Sequence, residues 1–256
     1  MRTNPEWSDF LVRRYSRAIK ERWGDWAVPS GKEYGCGGYG CVFPTKKESY
    51  VVKITTDETE AKLIATFLHP NFEVPQEGIV EYKDMFVVLE KRERRHVFFI
   101  LRKSAEKVGE VELSSSSKKL LSAFFVHASN VNELLKNKKL IPTESHIKSA
   151  LEKELQWGEK QPPKAQALKI PPSKGKLAVA YNFAACKQLA KEMCKTESLY
   201  SVGVALGDLL EQGIVLADVH RGNIGYSYGE VVITDPGNPV FLKHHPTIDV
   251  PLIEAK

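Results

Sequence analysis

Three residues have types and a spacing that suggest chemistry: Asp218, Asn223 and Asp235, in VLADVHRGNIGYSYGEVVITDPG at 215–237. The rest of that stretch is two short apolar runs around a turn, which predicts strands at 224–226 and 231–234. A hairpin brings its two ends together, so Asn223 and Asp235 are expected to be neighbours. Their oxygens are hard ligands suited to magnesium. Asp218, joined to Asn223 by Val-His-Arg-Gly, is then placed to accept or orient the proton of an attacking hydroxyl. Each residue alone reads as a turn former, as Asp235-Pro236-Gly237 does. Together they point to metal-assisted phosphoryl transfer.

A second constellation lies upstream. Gly35, Gly37, Gly38 and Gly40 lead into Val42, and a second strand follows with Val51-Val52-Lys53. Glycines expose backbone N–H groups to phosphate oxygens, but they also suit a tight hairpin that needs positive φ. A dinucleotide-binding loop would be followed by a helix; here another strand follows. Val51 and Lys53 share a strand face, with Val42 on the neighbouring strand, which gives an apolar lid for a flat base beside a cation for phosphates. Lys53 can also be read as a strand lysine with its head in water. If buried it needs a counter-charge. Glu60 and Glu58 are both candidates, and Glu60 can instead close a capping box with Asp57.

The elements that must position these residues are legible in outline. A helix is expected over 8–22, with Phe10, Leu11, Ala18 and Ile19 on one stripe. A glycine-rich hairpin follows, then a helix near 57–68 stopped by His69-Pro70, then strands at 85–90 and 96–101 joined through KRERR. Helices are expected at 117–127, 130–139 and 145–157, a Pro/Lys-rich loop at 159–176, and helices at 177–195 and 197–212, the last ended by Gly213.

Composition narrows the class. The 256 residues are 42% hydrophobic and 27% charged, which suits one large domain or two small lobes. No apolar run approaches the ~20 residues of a membrane helix, and MRTNPEWSDF lacks the apolar core of a secretory signal, so a cytoplasmic protein is expected. The cysteines at 36, 41, 186 and 194 lack zinc-site spacing and are expected to be reduced, packed thiols. The net charge of +5 is mild, and the clusters at Lys118–Lys119 and Lys136–Lys139 read as solvated helix faces, so nucleic acid is not the expected partner.

Taken in order, these motifs resemble the protein-kinase-like superfamily. GCGGYGCV resembles its Gly-rich loop, VVK its strand lysine, Glu60 ahead of HPN its helix-C glutamate, ADVHRGN its catalytic loop and TDPG its DFG motif. The resemblance covers about 31–104 and 197–240. It implies an α+β, bilobal fold: an N-terminal helical extension at 1–30, an antiparallel-sheet N-lobe and hinge at 31–104, and a mostly helical C-lobe at 105–256, truncated after the DPG motif. It further implies ATP and Mg²⁺ as cofactors. Asp218 becomes the base, and Asn223 and Asp235 the metal ligands. Lys53 contacts the α/β-phosphates, Glu60 fixes Lys53 in preference to Glu58, and Ile100 and Leu101 join Val51 around the adenine.

The departures matter too. Leu216-Ala217 precedes Asp218 where the family has His-Arg, and His220 stands where protein kinases have a lysine. DVHRGN is closer to the DLHPGN of aminoglycoside-phosphotransferase-like enzymes, Pro236 replaces the DFG phenylalanine, and no APE motif follows. The expected activity is ATP- and Mg²⁺-dependent phosphorylation of a hydroxyl, with Ser/Thr on a protein first. The alternatives are a small-molecule kinase and a nucleotide-binding pseudokinase. A partner protein completing the substrate site is a further expectation.

Overall fold

The computed structural model describes residues 5–31, 33–90, 95–107, 113–138, 145 and 176–253. The chain is α+β. It divides into two compact units: unit 1 holds Met1–Val74, Val80–Ala105 and His245–Lys256, and unit 2 holds Pro75–Ile79 and Glu106–His244. Among the described residues there are five α-helices, and none is long and apolar enough to cross a membrane.

Unit 1 contains α1 (Pro5–Trp23), β1 (Gly35–Cys36), β2 (Gly40–Pro44), β3 (Tyr50–Thr55), α2 (Glu58–Phe67), β4 (Tyr82–Glu90), β5 (Arg95–Lys103) and β11 (Leu252–Ile253). The strands form one mixed sheet in the order β1-β2-β3-β5-β4-β11. Strand side chains alternate between faces. Cys41, Phe43, Val52, Ile54, Phe86, Val88, Val97, Phe99 and Leu101 form a single buried cluster with Tyr15, Ile19 and Trp23 of α1. The Phe86 and Phe99 rings stack at 4.7 Å within it.

The buried row of α1 is Tyr15, Ile19 and Trp23, with Val12 partly buried; of the expected stripe, Ile19 is buried and Phe10 is exposed. Tyr15, Ile19 and Trp23 lie at i, i+4 and i+8, so they share one face of the helix. Polar ties fix the helix: Arg22 and Trp23 Nε1 both donate to Asp84, at 2.7 and 2.8 Å. The expected N-terminal extension thus packs into the unit 1 core.

Asp57 caps α2, its Oδ1 accepting from the N–H groups of Thr59 and Glu60. The segment after residue 244 returns to the same unit. The His245 ring packs edge-on against Phe72, Ile248 N–H donates to the Ala65 carbonyl, and Val87 N–H donates to that of Pro251. β11 then runs parallel to β4. The sequence reading did not anticipate this strand.

Unit 2 contains β6 (Glu106–Lys107), α3 (Ser115–Lys138), α4 (Lys176–Met193), α5 (Tyr200–Glu211), β7 (Ile214–Leu216), β8 (Ile224–Ser227), β9 (Glu230–Ile233) and β10 (Pro239–Phe241). Helix α3 is continuous where two helices were expected. Polar side chains at and beside the expected gap are satisfied by neighbours: Ser129 Oγ donates to the Ala217 carbonyl and Asn130 Nδ2 to Asn182 Oδ1. Ser114 caps the helix, accepting from Ser117 N–H. Gly203 lets α5 approach α4, since a Cβ there would lie 2.8 Å from the Ala190 carbonyl oxygen. The helix expected at 145–157 and the loop at 159–176 lie outside the described residues, apart from Ser145 and Lys176, as does most of the β4–β5 turn.

Strands β8 and β9 pair through a two-residue turn, Tyr228-Gly229, with positive φ at both positions, the backbone a tight hairpin needs. β10 pairs antiparallel with β7. The segment β7–loop–β8–β9–loop–β10 thereby brings its two loops, 217–223 and 234–238, to the same end.

Candidate active site

The site residues divide between the units, and each group has its own geometry. In unit 1 the β1–β2 hairpin turns at Gly38-Tyr39, with Gly37 N–H donating to the Gly40 carbonyl at 2.8 Å. Positive φ does not explain these glycines, since none of Gly35, Gly37, Gly38 and Gly40 adopts it. Close packing explains one. A Cβ at Gly40 would sit 2.6 Å from the Ile54 carbonyl oxygen of β3. At Gly38 no described atom comes within 4 Å of such a Cβ, and at Gly37 only the Gly40 oxygen does, at 4.0 Å. Among the described residues, no other protein atom fills that space.

Cys36 and Cys41 are register partners across this hairpin and form a disulfide. The expectation of reduced thiols is wrong for this pair. Five residues of separation put the two cysteines directly opposite once the intervening turn closes. Cys186 and Cys194 are not disulfide-bonded.

Lys53 lies in the middle of β3, paired with Val42 on one side and Ile100 on the other. Directly opposed residues share a face, so Val42, Lys53 and Ile100 form one row, and Val51 follows two residues along. Lys53 is 5% exposed and Glu60 3%, and Lys53 Nζ donates to Glu60 Oε1 at 2.6 Å. The open choices close here. Lys53 does not extend into water. Glu58 is exposed and lies near His96 at 3.5 Å. Glu60 does not close a capping box, because the Asp57 N–H donates to Thr55 Oγ1. Leu101 is not brought to this row. It pairs with Val52 on the opposite face and belongs to the α1-side core.

In unit 2 the three residues singled out first do converge. Asn223 Nδ2 donates to the Asp218 carbonyl at 2.7 Å, and the Asn223 carbonyl accepts from the N–H groups of Thr234 and Asp235 at 2.8 and 3.3 Å. Asn223 is thus the joint between the two loops. Its amide nitrogen is committed to Asp218, which turns its Oδ1 the other way. All three side chains are half-buried. Among the described residues no group of three or more His, Cys, Asp or Glu is placed to hold an ion. The Asn223–Asp235 pair is an amide and a carboxylate, a donor set that fits magnesium, which takes one or two such ligands and completes its shell with water and phosphate.

No protein-family model and no curated protein matches the chain.

Sequence reasoning gave no part in the site to several residues around Asp218. A Cβ at Gly237 would lie 3.1 Å from Asp218 Oδ2, so the glycine after Pro236 leaves room for that carboxylate. His220 Nε2 lies 3.6 Å from Asp218 Oδ1. From α3, Phe125 meets the His220 ring edge-on and Ser129 holds the Ala217 carbonyl. No spacing rule points from α3 to a loop some ninety residues later. Deeper on α3, His127 Nδ1 bonds Asn182 Oδ1 at 2.9 Å, and burial pushes its pKa below the ordinary 6.5 despite that bond.

Proposed function

We propose that the chain is an ATP- and Mg²⁺-dependent phosphotransferase that moves the γ-phosphate to a hydroxyl, with Ser/Thr on a protein as the leading acceptor. The observation that carries this reading is the Asn223 joint, which gathers one carboxylate suited to act as a base and an amide–carboxylate pair suited to magnesium. Two features of unit 1 support it. The Lys53–Glu60 pair is a buried cation held by its own counter-ion, and Gly37 and Gly38 leave open a space that neither φ nor packing requires.

In this reading the Gly-rich hairpin, Val42, Val51 and Ile100 receive the nucleotide, and Lys53, held by Glu60, meets its α/β-phosphates. Magnesium, when bound by Asn223 and Asp235, neutralises charge on the phosphates. Asp218 accepts the hydroxyl proton as the new O–P bond forms and the bond from the γ-phosphorus to the bridging oxygen breaks, releasing ADP.

A small-molecule hydroxyl is the second reading, and one observation favours it. After Asp235 the chain forms only β10 in unit 2 before residues 245–253 return to unit 1, so this stretch builds no helical platform for a peptide. The test is incubation of purified protein with γ-labelled ATP and Mg²⁺, following label on the chain itself, on lysate proteins and in the small-molecule fraction. Asp218→Ala is expected to abolish transfer while shifting stability by less than about 1 kcal/mol, as for a half-buried side chain outside the core. Full transfer by that variant rejects the assignment. Nucleotide binding without any label indicates a pseudokinase.

A further inference from the structure

Both nitrogens of the His220 ring have a defined place. Nδ1 accepts from the Gly222 N–H at 2.9 Å, which caps the short 3-10 turn Arg221–Asn223. A neutral imidazole has one donor and one acceptor, so an accepting Nδ1 puts the proton on Nε2. Nε2 is the nitrogen that faces Asp218 Oδ1, at 3.6 Å.

The surroundings hold this arrangement. A Cβ at Gly222 would lie 2.9 Å from His220 Cε1, so only glycine leaves the ring its seat. Phe125 sets the ring plane, edge-on at 5.9 Å with an interplanar angle of 81°. On the other side of the carboxylate, Gly237 comes close to Oδ2.

We propose that His220 is the positioning residue for Asp218, with its Nε2–H directing the carboxylate through Oδ1. It is a donor and not a second base, because Nδ1 is occupied by Gly222 and Nε2 already carries the proton. The 3.6 Å separation shortens when acceptor and nucleotide are bound, as hydrogen bonds in empty active sites do. The base role of Asp218 rests on the phosphotransfer reading; the tautomer and the contact do not.

The experiment has two arms, both on the full chain. Long-range ¹⁵N–¹H NMR of the histidine rings, with His220 assigned by its loss in His220→Asn, reads the tautomer directly. The expected result is an unprotonated Nδ1 and a protonated Nε2 whose shift moves in Asp218→Asn. An Nδ1–H tautomer, or an Nε2 unmoved by Asp218→Asn, overturns the proposal. The kinetic arm compares two substitutions. His220→Asn keeps an acceptor for the Gly222 N–H, as Asx turns do, but has nothing to reach Asp218. His220→Gln carries a donor farther out. The expectation for His220→Asn is roughly a tenfold or greater loss of kcat with KM for ATP within about twofold, and recovery of most of the loss in His220→Gln. An undiminished kcat in His220→Asn, or a Gln variant no better than Asn, overturns the proposal. A wild-type chain that transfers no phosphate rejects the phosphotransfer reading alone, and the NMR arm still decides whether His220 holds Asp218.

Discussion

Replacing Lys53 by Met separates stability from catalysis when it is paired with a second substitution at Glu60. Both side chains are almost fully buried and meet at 2.6 Å. Breaking such a pair by removing one partner costs about 3–5 kcal/mol, because a carboxylate stays in a low-dielectric interior without the cation it faced. Replacing both members with apolar residues of similar volume is often neutral or stabilising. For a chain of this size each kcal/mol moves Tm by about 2–4 °C. Lys53→Met is therefore expected to lower the unfolding midpoint of unit 1 by roughly 6–20 °C. The double variant Lys53→Met/Glu60→Leu is expected to return to within about 1 kcal/mol of wild type. Phosphate transfer follows the other rule and falls by about 100-fold or more in both variants, since neither has a cation to meet the phosphates. Calorimetry and a labelled-ATP assay on the same three proteins give both readings. A single variant as stable as wild type, or a double variant no more stable than Lys53→Met, refutes the buried-pair argument. Recovery of turnover with stability refutes the role of Lys53 in transfer.

Two further outcomes follow from other parts of the chain. Closing the short loop between Cys36 and Cys41 contributes about 2 kcal/mol in the chain-entropy account; Cys36→Ser/Cys41→Ser is expected to unfold in denaturant at the same midpoint as the dithiothreitol-reduced wild type, both below the oxidised protein, and three coincident curves would show that the bond is not closed in solution. His127, whose folded pKa lies below its unfolded 6.5, contributes stability that is fully present above pH 6.5 and is lost as pH falls through the folded value, at up to about 1.4 kcal/mol per pH unit; His127→Asn, which keeps a donor for Asn182, is expected to flatten that slope in urea titrations between pH 7 and 5, and an unchanged slope places the effect elsewhere.

Local signals were legible in the sequence and long-range ones were not. The hairpin at 224–233, the Asp57 cap and the left-handed Gly213 each follow from neighbouring residues, and the convergence of Asn223 and Asp235 follows from the hairpin alone. The choice of Glu60 over Glu58 depended on resemblance, because both lie within one turn of α2 and only the burial of Lys53 separates them. Leu101 was misplaced for a simple reason. It neighbours Ile100 in sequence, and strand alternation sends it to the α1 face. The packing of α1 on that face and the addition of β11 to β4 join residues far apart in the chain, and a two-residue strand has no periodicity to detect. The Cys36–Cys41 bond was missed because a cytoplasmic protein is expected to keep its thiols reduced, and only the register of the hairpin sets the two cysteines opposite each other.

The return of residues 245–253 to unit 1 imposes a timetable on synthesis. β4 leaves the ribosome long before β11, and until β11 arrives one edge of β4 offers bare N–H and C=O groups to any passing strand. At typical translation rates that exposure lasts on the order of 10–30 s, the interval in which Glu106–His244 of unit 2 is made. A nascent chain stalled in that window is the form that a holding chaperone would be expected to grip, and it would grip at β4.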